Sequence, residues 1–404
     1  MRLTVSIAAL CAGLAAPVLA QSRAEVIHWW TSEGESLAVR ALGDSFAAAG
    51  GEWLDNAIAG ASGARQAAVT RILAGDPPAA SQFNTGREYE DLVAQGLLVD
   101  ISDIAADWGQ TMPASLLAAS QLDDRVYAMP MNIHGRNWIW YNTAVLAEAG
   151  ATPPTGWGED MFAALDLIAA SGRVPLALSG TPSYILSLFE SVLLDRGGPG
   201  MWNGLYGDRS DAAFADPRLR DALETFARLR DYVDAGSSGR AWNATIAMII
   251  NGTAGISSQG DWAKAEFAAA GLEPGTNYGC VLPGGVLMIG GDVFVFPAQR
   301  NAERAQAQRL LIETLADAAT LRRFNQIKGS IPPRNDVDMS GTDICAETGS
   351  AALRSQDTSV PRLSMLVSGT IAGEVQDLIV EFWSDPRMSV DAVIARYRDI
   401  VQNG

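Results

Sequence analysis

The chain has 404 residues, of which 46 are acidic and 29 basic, so its formal net charge is −17 with neutral histidines. This acidic balance argues against nucleic acid and against an anionic membrane surface as binding partners. With 2 histidines and 3 cysteines, the chain has few residues from which to build a nucleophilic triad or a zinc site.

The N-terminus has the pattern of a secretory signal. A basic residue and an apolar run precede the small-residue motif Val18-Leu19-Ala20. We therefore expect a signal peptide over residues 1–20 and a mature chain that starts at Gln21. Cys11 would permit a lipid anchor, but the large leucine before it favours ordinary cleavage. No later segment is apolar and long enough to span a membrane.

The mature chain is longer than one hydrophobic core usually holds, so we expect two lobes. Cys280 and Cys345 remain after cleavage as an even pair in an oxidising compartment. This pairing predicts a disulfide, and two buried free thiols are the alternative.

The first part of the mature chain has an α/β pattern. Ser32 and Glu35 fit a capping box directly after a strand that ends in Trp29-Trp30. Glycine and proline residues end the next helix. The predicted elements are a strand over residues 26–30, a helix from residue 32, a helix over 65–74, a strand over 80–83 and a helix over 88–95.

The middle of the chain is helix-rich, and the α/β pattern returns late. The chain is expected to cross to a second lobe after about residue 136 and to return to the first with a late strand and helix, so the lobes are discontinuous in sequence. The predicted strands cover residues 136–141, 255–257 and 292–296, and the helices cover 143–149, 162–170, 184–194, 218–233 and 302–315.

The sequence offers little for catalysis or cofactor binding. The glycine pairs at residues 284–285 and 290–291 lack the spacing of a nucleotide-binding fingerprint, so we expect no cofactor and no metal. An exported glycosidase remains an alternative because Glu33, Asp261 and Asp292 lie at predicted strand-to-turn positions, where a carboxylate pair could act.

Eleven tryptophans are present, and several stand beside hydrogen-bonding residues at predicted turns. A sugar site needs flat aromatic surfaces together with fixed donors and acceptors, which such pairs provide. The alternative is that these tryptophans are core residues. Adjacent strand residues face opposite sides, so at least one of Trp29 and Trp30 should pack inside.

Several motifs together resemble a known family. In order they are Trp29-Trp30, Pro153-Pro154-Thr155-Gly156-Trp157, Gln259-Gly260-Asp261-Trp262, Gly290-Gly291-Asp292-Val293-Phe294 and Lys328-Gly329-Ser330-Ile331-Pro332-Pro333-Arg334. The mature chain is similar to the family-1 extracellular solute-binding proteins of bacterial ABC sugar importers, and most similar to their glucose-binding group.

The resemblance implies a type II-like periplasmic binding protein with two α/β lobes, a hinge and a ligand cleft between the lobes. The first lobe would comprise residues 21–136 and about 280–340, and the second about 137–279 and 341–404. Such a protein is a periplasmic monomer and not an enzyme. It binds a monosaccharide, here glucose or a related sugar, and delivers it to the membrane permease subunits of the importer.

The resemblance also implies a set of ligand-binding residues. Trp29 and Trp30 would provide stacking surfaces, Asp292 would accept hydrogen bonds from hydroxyls, and Lys328 would donate. His134 has either a ligand role or a structural role, and Cys280 and Cys345 flank the late crossing, as the disulfide of the glucose-binding group does. The further candidates are Glu33, Gln66, Asn132, Trp242, Asn243 and Asp261.

Two further candidate positions depart from the glucose-binding pattern. Asn84 stands where that group has a lysine, and Ser368 stands where it has a histidine. Both changes remove donors that can carry charge. A different monosaccharide, a polyol or a small disaccharide is therefore also compatible with the sequence.

Overall fold

The computed structural model describes residues 22–337, 343–355 and 357–404. The predicted signal peptide, Gln21 and Cys11 lie outside these residues. Within them the chain forms two α/β lobes, each built on its own sheet, which confirms the predicted fold class. In the described part of the chain, no helix is long and apolar enough to cross a membrane.

The strands of the described residues are β1 (Ser22–His28), β2 (Gly51–Ala57), β3 (Ala80–Asn84), β4 (Gln121–Leu122), β5 (Arg125–Val126), β6 (Ala128–Pro130), β7 (His134–Gly135), β8 (Trp138–Asn142), β9 (Val174–Ala177), β10 (Ala254–Gln259), β11 (Tyr278–Val281), β12 (Leu287–Gly290), β13 (Asp292–Val295) and β14 (Ser359–Pro361).

The α-helices of the same residues are α1 (Glu33–Ala48), α2 (Ala61–Ala74), α3 (Glu90–Ala94), α4 (Trp108–Thr111), α5 (Ala114–Ala118), α6 (Thr143–Ala149), α7 (Glu159–Ala170), α8 (Pro182–Tyr206), α9 (Asp211–Phe214), α10 (Pro217–Arg228), α11 (Trp242–Ile250), α12 (Ala263–Ala269), α13 (Ala302–Ala316), α14 (Ala318–Lys328), α15 (Ile344–Ala352), α16 (Leu363–Leu366), α17 (Gly369–Ser384) and α18 (Val390–Asn403). Short 3-10 helices cover Leu229–Tyr232, Ala235–Ser237 and Pro283–Gly285.

The first lobe is built on a five-stranded sheet with the order β2-β1-β3-β13-β6. Strand β1 is parallel to β2 and β3, whereas β13 is antiparallel to β3 and β6. Helix α1 follows β1 at once because Ser32 and Glu35 form the predicted capping box. Helices α1, α13 and α14 pack against one another, α13 also contacts β1 and β2, and α1 also contacts β2.

The second lobe is built on a four-stranded sheet with the order β11-β8-β10-β9. Its largest hydrophobic core lies among α7, α8, α10, α17 and α18. Helix α8 is kinked at Gly198, whose φ of 73° is accessible to glycine and is followed by Pro199. The kink lets the two halves of α8 cover different parts of this core.

Three segments, which we call the hinge segments, connect the lobes in the described part of the chain. They comprise residues 131–137, residues 290–291 and residues 329–333. Ile133 and Ile331 exchange backbone hydrogen bonds of 2.7 and 3.0 Å, and Gly290 pairs with His134. A small sheet with the order β14-β12-β7 borders them. The hinge segments are therefore tied to one another and not only to the lobes.

The predicted disulfide between Cys280 and Cys345 is confirmed. Cys280 lies in β11 and Cys345 lies near the start of α15, so the bond joins the sheet of the second lobe to a helix that follows the third hinge segment.

Strand pairing places one lobe boundary later than the sequence predicts. We expected the first lobe to resume at about residue 280, but β11 pairs with β8 of the second sheet. Pairing with the first sheet resumes only at β13. Strand β11 is four residues long, and so short a strand carries no pattern that identifies its sheet. The other lobe boundaries stay predictions.

Some predicted helices differ in length from the observed ones. The helix predicted over 88–95 is shorter and covers only Glu90–Ala94, and the Glu88 carboxylate before it accepts a hydrogen bond of 3.0 Å from the side chain of Asn84. The helix predicted over 218–233 is α10 followed by a 3-10 turn. The elements that were not predicted include β2, α11, α14, α17 and α18.

Candidate functional site

His134 is the centre of a buried polar cluster at the hinge. Its Nδ1 contacts Oδ1 of Asp261, which follows β10 of the second lobe. Its Nε2 lies 3.0 Å from Oδ2 of Asp292, the first residue of β13 in the first lobe. The Asp261 carboxylate also accepts the backbone N–H of Gly135 at 2.9 Å. One imidazole therefore bridges carboxylates from both lobes.

Asn132 fixes Asp292 from the other side. The side-chain NH2 group of Asn132 donates to Asp292 Oδ2 at 2.9 Å, and the side-chain oxygen of Asn132 accepts the Asp292 backbone N–H at 2.8 Å. This reciprocal pair requires close approach of the two segments. Gly291 permits this approach, because a Cβ at position 291 would lie 2.3 Å from the backbone carbonyl oxygen of Asn132.

The charges in this cluster reinforce one another. Burial opposes charge on His134, but the carboxylates of Asp261 and Asp292 outweigh burial and raise the pKa of the imidazole. Burial likewise opposes ionisation of Asp292, but His134 and the charge of Lys328 hold the pKa of that carboxyl well below its usual range. The two carboxylates therefore favour the protonated form of this imidazole more than water would.

Lys328, at the C-terminus of α14, forms a buried ion pair with Glu35 of α1, with Nζ 3.1 Å from Oε1. The other Glu35 oxygen accepts the backbone N–H groups of Thr31 and Ser32. The candidate Glu33 is exposed. In this helix Glu35, and not Glu33, contacts Lys328, and a ligand role for Glu33 stays a prediction. The capping-box pattern marked Glu35, but only as a helix-start residue.

The two adjacent tryptophans have different surroundings. Trp30 is 1% exposed and packs in the first-lobe core, with its ring centroid 5.5 Å from that of Phe294 and 5.1 Å from that of Phe324. Trp30 is therefore the ring of the pair that packs inside, and its role as a stacking surface stays a prediction. Trp29 is partly exposed, and the Arg65 guanidinium lies 5.9 Å from its ring centroid.

Trp262, which follows Asp261, contacts several aromatic residues on the second-lobe side of the hinge. It was not among the predicted ligand-binding residues. Its ring lies edge-on to His134 at 5.1 Å and 6.4 Å from the ring of Trp242. Tyr184 lies 6.3 Å away on α8, and the Arg136 guanidinium lies 5.0 Å from the Trp262 ring. Trp262, Trp242 and Tyr184 therefore form an aromatic cluster beside the hinge, which we call the wall around Trp262.

Several other candidates lie away from the polar cluster. Gln66 and Asn243 are exposed on α2 and α11. Ser368 is exposed, and its hydroxyl accepts the Ile371 backbone N–H as the N-cap of α17. Its side chain is therefore used as a helix cap. Asn84 lies closer, because it is the ladder partner of Asp292 in β3.

Two arginines near the hinge were missed by the sequence reading. Arg136 lies in the first hinge segment and Arg362 directly after β14. Arg362 forms an ion pair with Glu190 of α8 at 3.7 Å, and Glu190 is fully buried. Neither arginine belongs to a recognised motif, and only their placement beside Gly290 in the fold brings them together.

Several buried polar atoms around the hinge have no hydrogen-bond partner among the described residues. Such atoms cost free energy unless something supplies a partner, roughly 1–3 kcal/mol each. They include Gln82 Nε2, Thr85 Oγ1, Arg136 Nε, Trp262 Nε1, Arg362 Nε and Ser364 Oγ.

The lobes touch on both sides of these groups. A Cβ at Gly34 of α1 would lie 2.6 Å from the Cβ of Ala265 in α12, and the Gly34 backbone N–H donates to Glu266 at 3.1 Å. A Cβ at Gly86 would lie 2.9 Å from the Ser364 carbonyl oxygen. The structure is thus a closed arrangement of the two lobes.

Comparison with known proteins agrees with this architecture. A family model described as bacterial extracellular solute-binding protein matches residues 42–344. A probable sugar-binding periplasmic protein of Brucella suis biovar 1 is 33% identical over 399 residues, covering 95% of this chain and 94% of the relative. A protein of the same description from Rhizobium meliloti is 32% identical over 402 residues, covering 96% of each.

A solved structure shares the fold. The bacterial solute receptor AcbH, described with an exclusive substrate preference for β-D-galactopyranose, matches with a TM-score of 0.78 at 19% identity, over 95% of this chain and 98% of that chain. The family match covers most of the chain, and both relatives exceed 30% identity over nearly its full length. The chain therefore belongs to the bacterial extracellular solute-binding proteins.

Proposed function

We propose that this protein is the periplasmic receptor of an ABC importer and that it binds a monosaccharide between its lobes. In this proposal the signal peptide over residues 1–20 directs export and is cleaved. The closed form then presents the sugar to the permease subunits. The relatives in Brucella and Rhizobium, named as sugar-binding periplasmic proteins, support the class of ligand.

The observation that carries the proposal is the bridge from Asp292 through His134 to Asp261, which joins both lobes at the hinge. Carboxylates and a buried lysine beside it are the groups that bind sugar hydroxyls most strongly, because a hydrogen bond to a charged group contributes roughly 1.5–3 kcal/mol. The partly exposed ring of Trp29 and the wall around Trp262 offer faces for the C–H groups of a sugar.

Ligand contacts from both lobes would also drive closure. A sugar that touches both lobes stabilises only the closed arrangement, and moving most molecules from open to closed requires roughly 5.5 kcal/mol of differential affinity. Two or three charge-assisted hydrogen bonds together with stacking are sufficient for this.

Binding without turnover is the favoured activity. A glycosidase needs one carboxyl group free to donate a proton and a second free to attack or to activate water. Asp261 and Asp292 instead hold the same imidazole, and Glu33 is exposed on α1.

A thermal-shift screen of the mature protein tests the proposal. Monosaccharides, disaccharides and polyols are the ligands, amino acids are the controls, and binding to the native state raises the melting midpoint by mass action. We expect stabilisation by a small set of sugars and one-to-one binding in calorimetry. Release of reducing sugar from aryl glycosides, or silence with every sugar, would contradict the proposal.

A further inference from the structure

Arg136 and Arg362 are brought side by side by the small hinge sheet. Strand β12 lies in its middle, with β7 on one side and β14 on the other. Arg136 follows β7 and donates its backbone N–H to Met288, whereas Arg362 follows β14 and donates to Ile289. The Cδ atoms of the two arginines lie 2.9 and 3.2 Å from the position of a Cβ at Gly290. The aliphatic parts of both arginine side chains therefore lie next to Gly290.

One of the two guanidinium groups, that of Arg362, is paired with a carboxylate. Glu190 lies 3.7 Å from Arg362 and uses its other oxygen to accept the Leu363 backbone N–H at 3.4 Å. The Nε atoms of both arginines are buried without a partner among the described residues. The hinge carboxylates of Asp261 and Asp292 contact His134.

The environment of Arg136 disfavours its charge. Burial lowers the pKa of Arg136 to about 10, and the neighbouring charge of Arg362 acts in the same direction, whereas Glu190 and Asp292 act against it without restoring the usual value. Two guanidinium groups that repel each other in a largely buried place would be stabilised by a further anion between them.

We infer that the ligand is a sugar acid, such as a hexuronate, whose carboxylate is bound by Arg136 and Arg362. The inference rests on the proposed function and names the ligand class of the same cleft. Guanidinium groups match carboxylates in a planar two-bond geometry, which a neutral hydroxyl does not reproduce. The Trp262 ring, which stacks under Arg136 at 5.0 Å, fixes the direction of that guanidinium.

Calorimetry with matched pairs of sugars tests the inference. D-glucuronate is compared with D-glucose, and D-galacturonate with D-galactose, because each pair differs only in the carboxylate at C6. We expect at least one uronate to bind about tenfold or more tightly than its neutral partner, the effect of one added charge-assisted contact. Equal or weaker binding of both uronates would overturn the inference.

Variants separate the carboxylate contact from general damage. Arg136→Gln and Arg362→Gln are each expected to lower uronate affinity at least about tenfold and to reduce the preference over the neutral partner. Arg220→Gln, which removes a surface arginine paired with Asp391 in the same lobe, is the charge-matched control. Melting curves of all variants report whether the fold is kept.

The outcomes also distinguish this inference from the proposed function. Binding of neutral sugars without a uronate preference, or equal losses for both sugars in the arginine variants, overturns the inference and leaves the receptor proposal standing. Binding of no sugar of either kind overturns both. A uronate preference that disappears in both arginine variants but persists in Arg220→Gln supports both.

Discussion

Glu35 and Lys328, which lie 293 positions apart in the chain, form an ion pair in which the side chains are 8% and 1% exposed. The pair joins α1 to the end of α14, directly before the third hinge segment. An ammonium group has three protons, so Lys328 can hold Glu35 and still donate to a ligand. This residue therefore connects the packing of the first lobe to the hinge.

Lys328→Met should reduce both stability and ligand affinity. Removal of one member of a buried ion pair typically costs about 3–5 kcal/mol, because the remaining charge is left without a partner. We also expect sugar affinity to fall about tenfold or more, by the loss of one charge-assisted bond. Urea unfolding and calorimetry measure the two effects.

The double variant Lys328→Met/Glu35→Gln separates these effects. It should recover stability relative to Lys328→Met, because the unpaired carboxylate is gone, without recovering affinity. Arg323→Gln, on the exposed side of the same helix, is the control and should change stability by at most about 1 kcal/mol. Recovery of affinity in the double variant would show that Lys328 acts only through Glu35.

Asp292→Asn should weaken ligand binding about tenfold or more while the fold is retained. The substitution keeps the shape of the side chain but removes the charge that the hinge imidazole and a ligand hydroxyl would share. Asp44→Asn, an exposed residue paired with Arg323, is the matched control. Unchanged affinity in calorimetry would exclude Asp292 from the binding site.

The contribution of His134 to stability should depend on pH. Because its pKa in the folded state is raised above 6.5, the stabilisation is fully present below pH 6.5 and is lost as the pH rises through the raised value. The difference in unfolding free energy between the wild type and His134→Gln should therefore be largest near pH 5.5 and should shrink toward pH 9. A constant difference across urea titrations at these pH values would contradict the charged cluster.

Gly34→Val should oppose closure without disturbing either lobe. A Cβ at Gly34 would lie 2.6–2.8 Å from Ala265 of the other lobe, which is too close for the closed arrangement. Affinity should fall by the factor by which the closed population falls, and small-angle scattering with ligand should show a larger radius of gyration. Gly43→Ala in the same helix, where a Cβ meets only Trp53 at 3.6 Å, is the control.

Replacement of Cys280 and Cys345 by serine should lower stability more than affinity. The bond closes a loop with a sequence separation of 65, for which the chain-entropy model gives roughly 4 kcal/mol, although measured losses vary around 2–5 kcal/mol. Both residues lie in the second lobe, outside the polar cluster. Urea unfolding of the double variant and of the reduced wild type should agree, and a normal midpoint in either would contradict this role.

The sequence was most informative where local patterns decide the structure. The capping box at Ser32, the glycine stop after α2 and the disulfide are all present as predicted. It was least informative where distant segments meet. Arg136 and Arg362 acquire a shared role only because β7 and β14 border the same strand, and no spacing along the chain encodes that. Trp30 also shows that an aromatic pair does not reveal which ring faces the core.

The discontinuous first sheet has a consequence for the order in which the protein can fold. Strand β6 is joined to that sheet only through β13, which is translated more than a hundred residues later, after the β8 to β11 sheet of the second lobe. The first sheet cannot be completed before β13 has been made, because a pairing between distant segments must wait for its later partner. Strand β6 therefore has no partner in the first sheet until Asp292 and the rest of β13 have been made, so most of the second-lobe sheet is available for pairing before the first sheet is whole.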